Sequence, residues 1–152
     1  MTETHRDPPP PLATGALVLG WAGVLPFLAA AGLAFEPAFR AQALAAFLAY
    51  SVAILSFLGG IRWGRALAAG AGVGQYLRAV VPSLWGWAAW CLLPLAPALA
   101  ALAGGFVLAG AWDARGDALP APRSFRRLRL GLGLAVVGSH ALALGALLAG
   151  PA

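Results

Sequence analysis

His140 is the one ionisable side chain placed deep in an apolar run, near the middle of the uncharged stretch from Leu130 to Ala152. An ionisable group at membrane depth is a functional candidate by default, as a proton carrier or a ligand. It stands alone in its run. The other histidine, His5, lies in the polar N-terminal tail, so paired axial ligation of haem within one chain is not available. The expectation is therefore a neutral imidazole hydrogen-bonded to a neighbouring helix. Tyr50, Ser51, Ser56 and Ser83 are the candidate partners, unless they bond within their own helices. His140, Tyr50 and Ser51 make up a candidate intramembrane polar site.

A second constellation lies at the ends of the apolar runs. Arg62 follows Gly59-Gly60, and Arg65 comes one helical turn later. There a guanidinium reaches headgroups, a carboxylate or a backbone carbonyl. Trp63, Asp113, Arg126, Arg127 and Arg129 belong to the same predicted membrane face, and together these residues form a candidate contact for lipid or partner. Arg62 itself is expected to be a snorkelling marker of topology rather than a specific anionic site. Asp113 is expected at a helix C-terminus, which disfavours a carboxylate, so pairing with Arg62 or Arg65, or solvation, should compensate it. Asp117 and Glu36 read as solvated loop residues. No Walker loop, metal-binding cluster, nucleophile elbow or carboxylate pair is present, so catalytic residues, metal and cofactor are not expected, nor is an enzyme.

The elements that must position these residues follow from composition. Of 152 residues 61% are hydrophobic and 10% charged, far from a soluble domain. The apolar runs are continuous rather than alternating, which favours membrane helices over a barrel. The formal charge of +5 comes from ten arginines against five acids, with no lysine. Placed beside apolar spans, the arginines set orientation and do not imply nucleic acid. Lone Cys91 reads as a small hydrophobe.

Residues 1–11, ending in Pro8-Pro9-Pro10-Pro11, are expected to be a disordered cytoplasmic tail, and residues 12–152 a single transmembrane domain. Uncharged stretches run over 12–35, 41–61, 79–112 and 130–152. The third is too long for one crossing, but Pro94 and Pro97 divide it. Arginines near span ends are retained on the cytoplasmic side. Counting two crossings there puts nine of the ten arginines on one face and Arg40 on the other; counting one splits them four to six. Five helices are thus expected, over about 12–35, 41–61, 77–94, 96–112 and 130–150, with the N-terminus cytoplasmic and the C-terminus outside. Glu36-Pro37 should open the second helix. Residues 62–78 and 113–129 should be cytoplasmic loops, and 94–97 an outer turn.

Rows of small residues, Pro97, Ala101, Gly105 and Ala109 against Gly131, Ala135, Ser139 and Ala143, suggest close pairing of the last two helices, with chance occurrence in an Ala/Gly-rich chain as the alternative. Trp63 and Trp112 read as interfacial anchors; Trp85 and Trp87 fall inside a span and need another reason.

Three segments carry a resemblance: Leu19 to Phe27, Ala49 to Gly64 with its Ser-Phe-Leu-Gly-Gly-Ile-Arg-Trp-Gly run, and Val81 to Leu84 with Trp87. Arg127 to Leu130 adds weaker support. With these the chain resembles an uncharacterised family of small transmembrane proteins, domain of unknown function 3429, which includes a human mitochondrial transmembrane protein. The resemblance implies a bacterial inner membrane or its mitochondrial counterpart, and no activity.

The expected role is a non-catalytic, multi-pass accessory or scaffold protein of the inner membrane, acting through helix packing and an arginine-rich cytoplasmic face. Its partners would be the bilayer, with anionic lipid, another inner-membrane protein or a second copy of itself as further candidates. The alternative is a small carrier or channel, as a homo-oligomer, with His140 and the polar residues of the second helix lining a path. Five spans without an internal repeat give it little support.

Overall fold

The computed structural model describes residues 14–114 and 123–149, and all regular structure among them is helical. The expected N-terminal tail, residues 115–122 of the second cytoplasmic loop with Arg115 and Asp117, and the last three residues lie outside the described residues. The helices are α1 (Thr14–Ala22), α2 (Leu25–Leu33), α3 (Arg40–Ala68), α4 (Val73–Leu92), α5 (Leu95–Ala114) and α6 (Arg123–Leu148). The first two form one broken rod, so five rods make a helical membrane bundle.

Four rods are long and apolar enough to cross a membrane: Thr14–Leu33, Arg40–Ala68, Leu95–Asp113 and Phe125–Leu148. The remaining helix, α4, is as long as α5 at 20 residues but is more polar, carrying Gln75, Arg78 and three tryptophans. It lies alongside α3 in antiparallel fashion, with Gly59 against Ala79 and Gly86 against Val52. A methyl group at Gly59 would collide with the Ala79 carbonyl oxygen, so the glycine sets how closely the two helices approach.

Each turn has a local cause. Pro26 has no N–H to give, and the rod breaks over Gly23-Val24, where Val24 N bonds the Trp21 carbonyl at 3.0 Å instead of continuing the helical ladder. The Gly23 carbonyl takes the Tyr50 hydroxyl at 3.0 Å, a side-chain donor from α3 at the break. Gly70, at φ +57°, closes α3 in a Schellman motif, with Ala71 N on the Ala66 carbonyl and Gly70 N on that of Leu67. Leu93, before Pro94, is extended, which separates α4 from α5; Pro97 falls in the first turn of α5, where no backbone donor is needed.

The helices outrun the apolar stretches. Arg62 and Arg65 are on α3, Arg78 is in α4, and the connection expected over 62–78 shrinks to residues 69–72. Arg126, Arg127 and Arg129 likewise sit on α6 rather than in a loop. Absence of charge marks the hydrocarbon layer, whereas a helix continues wherever its backbone stays bonded. Glu36 and Pro37 occupy an exposed turn ahead of α3, which opens at Arg40. Arg40, among the described residues the one arginine at the Glu36 end of the bundle, donates through Nε to the Ala34 carbonyl just past the end of α2 at 3.1 Å, where a cation is favoured.

The core joins α2, α3, α5 and α6 through Phe27, Phe47, Leu55, Leu102, Phe106 and Val136. Helices α5 and α6 pack closely, as the small-residue rows suggested, but the glycines of those rows face other neighbours. Gly105 packs on Trp85 and Leu55, and Gly131 packs on Trp21. Side-chain contacts between α5 and α6 include Phe106 with His140 and Asp113 with Arg129.

Candidate functional site

Asp113, in the last turn of α5, is held from two sides. Arg62 donates to its Oδ1 through Nη2 at 3.0 Å and Nε at 3.3 Å, and Arg129 donates to its Oδ2 through Nε at 2.9 Å and Nη2 at 2.5 Å. Arg62 Nη2 also donates to the Ala109 carbonyl at 2.6 Å, and its guanidinium lies 5.1 Å from the centre of the Trp112 ring. The three side chains are only 11–13% exposed. One carboxylate thus ties α3, α5 and α6 together at one end of the bundle. It also answers the unfavourable placement of an anion at a helix C-terminus. Arg62 is therefore more than a snorkelling cation: its planar fork serves a carboxylate, a carbonyl and an indole face at once.

The other residues of that face are placed as follows. Arg65 is half-buried with its guanidinium 5.8 Å from the Phe125 ring centre, and does not join Asp113 in an ion pair. Trp63 is 43% exposed and meets Tyr76 of α4 edge-on at 5.0 Å, as an interfacial anchor would. Arg126 is half-buried and Arg127 exposed. Trp85, whose position inside a span called for a reason, donates its indole N–H to the Ala101 carbonyl at 2.7 Å and nests on Gly105, fastening α4 to α5. Trp87 is exposed on the outer surface of α4.

His140 occupies the middle of the bundle at 2% exposure, and Ser51 beside it is fully buried. Its Nδ1 lies 2.8 Å from the Val136 carbonyl, which only accepts, so Nδ1 carries the proton. Nε2 is then the acceptor in the neutral ring and faces Ser51 Oγ at 3.2 Å. That hydroxyl also lies 2.8 Å from the Phe47 carbonyl, so its single proton has two places to go. Phe27, Phe47 and Phe106 surround the imidazole with ring centres 4.7–5.8 Å away. Tyr50 does not join this group; its hydroxyl is committed to the Gly23 carbonyl.

The structure therefore brings Arg62, Asp113 and Arg129 together, and Ser51 with His140. It leaves Arg65, Arg126 and Arg127 around the first group. A family model described as "Protein of unknown function (DUF3429)" matches residues 12–145. The chain belongs to that family. In this DUF3429 protein the segments that carried the sequence resemblance meet in space: Gly23 with Tyr50 at the break of the first rod, and Gly59 with Ser83 where α3 and α4 approach. No curated protein and no solved structure matches the chain.

The phenylalanine ring around His140 and the tie between Asp113 and Arg129 were not expected from the sequence. Phe27, Phe47 and Phe106 sit in three separate runs, and only a depth comparison with His140 would have grouped them. Asp113 and Arg129 lie 16 positions apart.

Proposed function

We propose that this DUF3429 protein is a non-catalytic, multi-pass accessory or scaffold protein of a bacterial inner membrane, or of the mitochondrial inner membrane in a eukaryote. Its N-terminus and arginine-rich face are cytoplasmic, and it works by presenting that face to another membrane protein. The observation that carries this reading is how the polar side chains are used. Arg62, Asp113 and Arg129 clamp three helices, Ser51 and His140 join two, and Tyr50 serves the break in the first rod. A carrier would need His140, Tyr50 and Ser51 to face a path, whereas each has bonds within the bundle. Around the clamp, Arg127 is exposed and Arg126 half-exposed, on a turn of α6 where a carboxylate-rich partner surface fits.

Crossing by all five rods, the more polar α4 included, is part of this proposal; the 20-residue length of α4, its antiparallel packing on α3 and the one-sided distribution of arginine support it. Alkaline phosphatase fused after Ala152 should then be active outside the cytoplasm, and the same enzyme inserted near Asp117 should be silent. Activity at Asp117 with silence at Ala152 would mean that residues 79–112 do not make a hairpin of two crossings, and would defeat the five-span topology. The partner reading is tested by crosslinking and mild-detergent copurification of the tagged protein from its native membrane. A stoichiometric protein partner is expected, with recovery reduced when Arg126 and Arg127 are both changed to Gln. Recovery of the chain only as a homo-oligomer that moves solute in vesicles would favour a carrier and defeat the proposal.

A further inference from the structure

The Arg62–Asp113–Arg129 cluster holds two cations against one anion, which leaves one positive charge at a site only 11–13% exposed. Among the described residues no second carboxylate touches it; Glu36 is at the other end of the bundle. The bonds to Asp113 and Ala109 use Nε and Nη2 of Arg62 and Nε and Nη2 of Arg129, so neither Nη1 takes part in them. A spare charge at the border of a low-dielectric layer calls for a counter-anion.

Next to this cluster a shallow apolar groove runs between α4 and α5. Val81, Pro82 and Trp85 form one wall, and Leu108, Ala109 and Trp112 the other. Two of these residues belong to the cluster's surroundings as well: Ala109 gives its carbonyl to Arg62, and Trp112 lies under the same guanidinium. The groove therefore begins at the cluster. It extends from Trp112 towards Gly105, roughly 10 Å at the helical rise per residue, in the direction of the bilayer interior. Its inner end is fixed, because Trp85 is tethered to the Ala101 carbonyl and seated on Gly105.

We propose that the groove and the cluster at its mouth form one binding site for an anionic glycerophospholipid. The phosphate sits on the cluster's spare positive charge, and one acyl chain lies along the α4–α5 groove. A soluble phosphate would use the charge but not the apolar track, and a zwitterionic lipid would use the track while bringing a competing cation. The match of both features to one molecule singles out an anionic lipid. The site needs only a chain embedded in a membrane, so its failure would leave the partner reading standing.

The test is native mass spectrometry of the full chain, delipidated in detergent and titrated with phosphatidylglycerol or with phosphatidylcholine of the same acyl composition. One spare charge predicts a preference for phosphatidylglycerol of about fivefold. Arg129→Gln neutralises the cluster while keeping the Arg62–Asp113 pair, and should bring the preference close to one. Leu108→Trp, at a half-exposed position on the groove wall, should weaken binding of both lipids and leave their ratio unchanged. Equal binding of the two lipids by the unaltered protein would overturn the proposal. So would a preference that survives Arg129→Gln in folded protein, undiminished binding of both lipids in Leu108→Trp, or inorganic phosphate displacing phosphatidylglycerol at equal concentration. Should Arg129→Gln fail to fold, the lipid ratio of the unaltered protein and the Leu108→Trp titration decide the matter.

Discussion

Asp113→Ala is expected to be among the most damaging single substitutions in the chain, lowering stability by about 3 kcal/mol or more, because it strips two part-buried guanidinium groups of their shared carboxylate. Arg62 would keep the Ala109 carbonyl and the Trp112 face, whereas Arg129 would lose both of its bonds to Asp113. The two arginines would also repel each other without the anion between them. Arg62→Lys should lie in between, at about 1–2 kcal/mol. An ammonium retains the charge but cannot meet Oδ1, a backbone carbonyl and an indole face with one planar group. The measurement is the rate of thermal inactivation in one detergent at one temperature, since unfolding of membrane proteins is commonly irreversible and rates are then the comparable quantity. The order Asp113→Ala, then Arg62→Lys, then the unaltered chain, from fastest to slowest, is the expected result. A lysine variant indistinguishable from the unaltered protein would return Arg62 to a marker of topology.

That expectation differs from what the sequence suggested for Arg62, and the reason shows how much was legible. Apolar runs, arginine placement and Pro94 were enough for the bundle and its five rods, since each reports on the bilayer rather than on tertiary contacts. Helix ends were not legible, because charge ends a hydrophobic run without ending a helix: α3 continues for seven residues past Ile61 and stops only at the Gly70 motif. Asp113 was expected to meet an arginine of the same face, but the choice of Arg129 over Arg65 depends on the register of α5 against α6. Nothing local encodes that register. The small-residue rows rightly suggested that those two helices pack closely, but they did not give the register, because Gly105 makes room for the Trp85 indole of α4 and Gly131 for Trp21. Ser51 as a partner for His140 was foreseeable by depth within the membrane, whereas Tyr50 was diverted by a carbonyl that only a broken first rod exposes.

At His140, the next largest effect is expected from truncation, and the pattern over three substitutions separates shape from chemistry. His140→Ala empties a space between Phe27, Phe47 and Phe106, and should cost about 2 kcal/mol. That is the low end for a core truncation, because in lipid the hydrophobic transfer contribution falls away and packing contacts remain. His140→Leu fills most of the same apolar space. It also strands nothing: the Ser51 hydroxyl falls back on the Phe47 carbonyl, and the Val136 carbonyl lies within the α6 ladder. Near-normal stability is therefore expected for leucine, although a buried polar group has been removed. His140→Gln keeps a hydrogen-bonding head able to meet Ser51, and should preserve both stability and recovery of a copurifying partner. Neither leucine nor glutamine carries a proton in the range that an imidazole does. If both variants accumulate and resist heat like the unaltered protein while partner recovery or cellular function is lost, the imidazole does chemistry, and the structural reading of the Ser51–His140 pair fails. If alanine alone is defective, His140 is a shaped plug among three phenyl rings whose hydrogen bonds fix which helices meet around it.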